Sequence, residues 1–204
     1  MLKFNNLDQG YEQCNELYSS IKGKGTELLG DLNLVVTGLK EHWKGSDATL
    51  HINRLVDIHA SVNTFVKDTG NLIAYAANQV VEVQEVRRAN GASANVGSRL
   101  EQLSEQEGLI KAEETAEYYC TSDARNDYEK LVEVKNKFST FTETVLSQGR
   151  TLMTNWIDGN GRNDVNNNLN NFETISEEFK NHIEDARSNL ETAIIENLSQ
   201  IMEE

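Results

Sequence analysis

The chain has no proline anywhere in its 204 residues. No position is therefore barred from a helix by a missing amide hydrogen or a locked backbone angle. Apolar residues make up 38%, low for a thick globular core, which points to an elongated bundle with thin seams. No apolar run reaches membrane-spanning length, and the start "MLKFNNLDQGYEQ" lacks a charged segment followed by an apolar one. The expectation is a soluble chain without a cleavable general-secretory signal, which leaves open an exit route that needs none. Cysteine is scarce: Cys14 and Cys120 stand 106 residues apart, and neither has a second cysteine at metal-ligand or redox spacing. Two free thiols are expected, and a bridge between them is not excluded by spacing.

Positive charge is short in the second half. Residues 101–204 carry 9 Lys/Arg against 22 Asp/Glu, whereas residues 1–100 carry 10 against 11, so the net charge of −14 sits almost wholly in the second half. That excludes nucleic acid and an anionic membrane surface as partners of this half. A solvated acidic face is the plain reading, and a basic partner is the sharper one.

What the chain does have is helical period. Cys14, Tyr18, Ile21, Gly25, Leu28, Leu32, Val36, Leu39 and Trp43 step by three and four, the stripe of a helix facing a partner. The pattern resumes at Leu55, Ile58, Val62, Phe65, Leu72, Ala76, Val80 and Val83, then fades into "RRANGASANVG". A shift of 113 positions carries Tyr18, Ile21, Gly25, Leu28, Leu32, Val36, Leu39 and Trp43 onto Leu131, Val134, Phe138, Phe141, Val145, Gly149, Leu152 and Trp156. Leu169, Phe172, Phe179, Ile183, Ala186, Leu190 and Ile194 continue a fourth stripe out to Ile201.

Each tryptophan is followed at once by a glycine-containing break: Trp43 and Gly45, then Trp156 and Gly159. A flat side chain in a helix's last turn can cover the open end of a seam, and glycine can take the positive backbone angle that stops the helix. Ser46 and Asp47, and Asn160, Asn163 and Asp164 in the second copy, are candidates to cap the helix that follows. These are structural roles and require no ligand. Gly23, Gly25 and Gly30 lie inside the first helix, each costing about 1 kcal/mol relative to alanine. Gly25 is on the stripe and is read as a close approach; Gly23 and Gly30 have no explanation in the sequence.

The predicted fold is all-α: two long antiparallel helical hairpins joined by a connecting helix, packed as an elongated four-helix-type bundle. The hairpins are assigned to residues 1–92 and 128–204. The connector, residues 93–127, is expected to be helical on the strength of Leu100, Leu103, Ile110, Ala112 and Ala116, although Thr121, Ser122 and Asp123 are equally able to end one helix and cap the next.

No catalytic constellation is present. His42, His51, His59 and His182 form no metal-protease pair. "DGNGRNDVNNNL" begins like a calcium loop, but Arg162 falls at a ligand position and Leu169 where the closing glutamate belongs. Gly159 and Gly161 follow a helix instead of a strand and make no phosphate cradle. The chain is read as a non-enzyme with no metal and no cofactor.

A helix ending in Trp-x-Gly, a short turn and a second helix of similar length resembles the WXG (ESAT-like) family of small proteins exported by type VII secretion systems. The resemblance covers about residues 10–90 with the strict motif Trp43-Lys44-Gly45. It covers about 128–202 with the looser Trp156-Ile157-Asp158-Gly159. It implies a secretion substrate or co-exported targeting protein acting by helix–helix pairing. That protein would be made in a bacterial cytoplasm and secreted or displayed at the cell surface without a signal peptide. The implied partners are the secretion ATPase and another helical WXG- or LXG-type protein, with self-pairing of the two hairpins. The family's export signal, a tyrosine and an acidic residue four positions apart, has its counterpart in Tyr119 and Asp123. On a helix that spacing would set both on one face. The competing classes are a secreted membrane-perturbing effector, disfavoured by the polar surface, and an unrelated intracellular helical scaffold.

Overall fold

The computed structural model describes residues 3–115 and 117–203, the side chains of 197–203 excepted. Ala116 and the Ile201 side chain, both named above, lie outside the described residues. The fold is all-α. Among the described residues four helices make it: α1 (Leu7–His42), α2 (Ser46–Ala89), α3 (Asp123–Asn155) and α4 (Arg162–Glu203). They pack as a bundle, α1 on α2, α1 on α3 and α3 on α4. Four very short strands punctuate them in the described residues: β1 (Lys3–Phe4), β2 (Trp43–Lys44), β3 (Tyr119–Cys120) and β4 (Trp156–Asp158). The order strand–helix–strand–helix therefore occurs twice.

The stripes become the core. Every one of the nine positions from Cys14 to Trp43 is buried, as are all eight from Leu131 to Trp156. In α2 the stripe is buried apart from Leu72, which is half-buried, and Val83, which is exposed. Gly25 is the close approach expected of it. A β-carbon there would lie 2.5 Å from Val66 Cγ2 and 3.3 Å from the Phe141 ring. Gly23 and Gly30 have nothing within 4 Å of a β-carbon and remain without a packing reason.

Two compact units divide the chain. The first comprises residues 1–26, 63–106 and 141–173, and the second comprises 27–62, 107–140 and 174–204. Phe65, Phe141 and Phe172 form the aromatic centre of the first, with Phe65 and Phe172 stacked at 3.9 Å and Phe141 edge-on to both. In the second, Phe138 and Phe179 meet at 5.1 Å. The unit ladders differ correspondingly: β1 pairs with β4 in the first and β2 with β3 in the second.

The connector is not a helix. Residues 92–118 contain no helical segment among those described. Asparagines on α2 take the main-chain groups that a helix would have used internally. Asn78 accepts the Leu100 N–H at 2.7 Å and donates to the Leu100 carbonyl at 2.9 Å. Asn71 does the same to Leu103 at 2.6 and 3.0 Å, and Asn63 to Gln106 at 3.0 and 2.8 Å. In the second unit Asn53 grips Ala112 in the same way, at 2.6 and 3.2 Å. Like charges four apart, Glu101 with Glu105 and Glu113 with Glu117, also weigh against a helix here. Half-buried positions fall at Gly97, Leu100, Leu103, Gln106, Leu109, Ala112 and Thr115. That period is three, the repeat of a polyproline-type extended chain, not the 3.6 of a helix.

Candidate functional site

The first break is built by α1 running out at His42. Trp43 is 2% exposed and stacks on His51 with centroids 5.7 Å apart, and His51 meets His182 at 5.0 Å. Gly45 has φ +123°, the left-handed region closed to most side chains, and a β-carbon there would also stand 2.7 Å from the Tyr118 ring. Its carbonyl accepts the Thr49 N–H at 3.0 Å, so Gly45 itself occupies the capping position. Ser46 and Asp47 fall one step later than expected, in the first turn of α2, where the Asp47 carboxylate suits the positive end of the helix. The cap lies earlier because glycine alone relieves the backbone at the point of reversal.

The structure brings Tyr119 to this same break. Strand β3 lies antiparallel to β2, with Cys120 opposite Trp43 and Tyr119 opposite Lys44. The Thr121 N–H donates to the His42 carbonyl at 2.9 Å, and the Tyr119 hydroxyl donates to the Glu41 carbonyl at 3.1 Å. Tyr119 and Asp123 therefore do not share a helical face. Tyr119 is extended main chain, and Asp123 is the first residue of α3. The reason is local: the Tyr119–Cys120 backbone is committed to the edge of β2, so the helix cannot begin until the ladder has ended.

Groups that nothing in the sequence linked to one another surround the break. Asp127, 3% exposed, accepts from His42 Nδ1 at 2.6 Å and from Lys130 Nζ at 3.1 Å. Gly38 makes room for it, since a β-carbon at Gly38 would lie 2.5 Å from the Asp127 carboxylate. This contact holds the His42 imidazole more basic than usual. Burial has the opposite effect on His51 and His182, favouring their neutral forms. Asn189 Nδ2 donates to His51 Nε2 at 2.7 Å, and His182 Nε2 donates to the His51 carbonyl at 3.1 Å. Beside the break opens a cleft of about 430 Å³ edged by Lys40, Lys44 and Lys111 on one side of the charge balance and Glu113, Glu114 and Glu117 on the other. A lone glycine at Gly38 gave no signal in the sequence, because its neighbour Asp127 is distant along the chain.

The second break repeats the device with other residues. Trp156 is fully buried and stacks on Phe4 at 5.7 Å, and β1 pairs with β4 so that Phe4 stands opposite Trp156. The Asn5 N–H donates to the Asn155 carbonyl at 2.9 Å, the counterpart of Thr121 and His42. Gly159 and Gly161 both have positive φ, at +133° and +88°, and Arg162 Nε donates to the Trp156 carbonyl at 2.5 Å. Gly161, whose carbonyl accepts the Val165 N–H, caps α4.

Cys14 and Cys120 are buried and not bridged to one another, with pKa values pushed up by burial to about 12 and about 11, so neither is a nucleophile near neutrality. Among the described residues no cluster of His, Cys, Asp or Glu is arranged to hold a metal ion. No family model, curated protein or solved structure matches the chain.

Proposed function

We propose that this chain is a non-enzymatic type VII secretion substrate or co-exported partner that works by helix pairing and by presenting its first tryptophan–glycine break to the secretion ATPase. The observation that carries the reading is the pairing of Tyr119 with Lys44 within the Trp43–Lys44–Gly45 break. The two features that the family resemblance singles out, the turn and the tyrosine, thereby form one surface. Asp123 begins the helix just beyond, and its carboxylate adds negative charge to that surface. In this reading the recognised unit is a folded corner instead of a helical face. The chain is made in a bacterial cytoplasm and leaves without a signal peptide. No described helix is long and apolar enough to cross a membrane.

The test is a blot of culture fluid from cells with and without the secretion ATPase. Tyr119→Ala is expected to abolish export while far-ultraviolet circular dichroism stays unchanged. Tyr119→Phe, which keeps the ring and loses only the bond to the Glu41 carbonyl, is expected to export. Secretion of the alanine variant at the normal level would remove the signal from the account. Export that ignores the ATPase would remove the pathway. Release of dye from liposomes by the purified chain would favour a membrane-acting effector instead.

A further inference from the structure

The connector is held in the first unit by groups that read main chain. Asn63, Asn71 and Asn78 each donate to the carbonyl and accept from the N–H of one residue. From α1, the Tyr11 hydroxyl donates to the Ser98 carbonyl and the Tyr18 hydroxyl to the Glu101 carbonyl, both at 2.7 Å. Every residue except proline carries the same N–H and C=O, so this set does not distinguish one amino acid from another. Selection by side chain enters at Gly97 and at Leu103. Gly97 lies against the Tyr11 ring closer than a β-carbon would permit. Leu103 fills the space over Gly70, where a β-carbon would come within 2.5 Å of its Cδ1. The helix spacing suits this ligand: three residues of polyproline-type chain advance about 9 Å, and the seven from Asn71 to Asn78 about 10.5 Å.

The resident segment is shallowly held. No described residue from 91 to 118 is buried, so the connector can leave while the core stays closed. Its ion pairs, Arg99 with Glu82 and Glu85, Glu101 with Lys22 and Glu105 with Lys67, are at the surface and add little. Departure would expose three asparagine amides already positioned as donor and acceptor pairs.

We propose that the α1–α2 face of this unit is a binding site for an extended, polyproline-like polypeptide with a glycine and then two leucine-like apolar residues at successive third positions. Residues 97–106 occupy it in cis, and a segment of the same chemistry from another protein replaces them. Main-chain hydrogen bonds supply the affinity and the leucine seats the selectivity, the division of labour by which extended peptides are bound at sheet edges.

The probe is a fluorescent peptide with the sequence of residues 96–107. The receptor is the full-length chain carrying Leu100→Asp and Leu103→Asp, which weaken the resident. Saturable binding is expected by anisotropy. It should be at least about tenfold weaker on the unaltered chain, whose own connector competes. Adding Asn63→Ala and Asn71→Ala to the weakened receptor should also cost at least about tenfold. A peptide with Ser98→Ala and Gln102→Ala, both exposed positions, should bind within about threefold of the original. With helicity intact, an absence of binding to the weakened receptor, or binding indifferent to the asparagine changes, overturns the proposal. Dimers formed by exchange of connectors between copies, with free peptide excluded, would assign the groove to a second copy and overturn it too. Hydrogen exchange on the unaltered chain gives a measurement that needs no variant. The Leu100, Leu103 and Gln106 amides should exchange well ahead of the core helices. Exchange only with global unfolding would show a connector that never vacates the groove.

Discussion

Three glycines of one helix separate two kinds of cost. Gly25 sits under Val66 and Phe141, whereas Gly23 and Gly30 face open space. Adding one methyl at Gly25 must displace a packed neighbour, so Gly25→Ala is expected to destabilise the chain by about 1–3 kcal/mol. The same methyl at Gly23 or Gly30 meets nothing and restricts the unfolded chain, so each is expected to stabilise by about 0.5–1 kcal/mol. Urea midpoints of the three variants read both signs. Gly25 was legible in advance because it falls on the apolar stripe. Gly38 was not, because the residue it accommodates, Asp127, belongs to another helix and no local pattern links them.

At the scale of elements, the helices were legible and the connector was not. Long stripes at steps of three and four identify α1 through α4, since burial of one face is a property that sequence period expresses directly. The connector's expected stripe, Leu100, Leu103, Ile110, Ala112 and Ala116, passes for a weak helix because a period of three is close to 3.6 over so few residues. Ile110 is in fact 81% exposed, and Leu109 is the half-buried residue of that pair. Asparagine pairs on α2 decide the matter. Proline substitution tests the assignment, because an extended polyproline-type chain accepts proline wherever its N–H is unused. Glu105→Pro is expected to leave stability within about 0.5 kcal/mol. Gln106→Pro removes the N–H held by Asn63 Oδ1 and leaves a polar atom unpaired, for an expected loss of about 1–3 kcal/mol. A helical connector would suffer from both.

For the molecule as a whole, acid is the informative variable. His51, His59 and His182 have pKa values lowered from 6.5, in each case chiefly by burial. The unfolded chain therefore takes up protons first. Stability from these three is fully present above about pH 6.5 and is lost as the pH falls below it. His42 works the other way. Its pKa is raised by Asp127, so its contribution is present below pH 6.5 and lost as the pH rises through the higher folded value. Three against one predicts a lower urea midpoint at pH 5.5 than at pH 7.5. His59→Leu should shrink that difference, and His42→Leu should enlarge it. Equal midpoints at the two pH values in the parent chain would refute the assignment of buried neutral imidazoles.

The sequence by itself determined four helices, their buried faces and the two places where a tryptophan and a glycine interrupt them. Those are local properties, set by side-chain period and by the backbone freedom of particular residues. Only the tertiary structure decided what meets each interruption: Tyr119 and Cys120 at Trp43 and Lys44, and Lys3 and Phe4 at the strand that begins with Trp156. It also decided that Asn63, Asn71 and Asn78 hold an extended chain instead of facing water. A hydrogen bond between distant residues leaves no period in the sequence, because each partner needs only to be polar and in reach, and reach is a consequence of the fold.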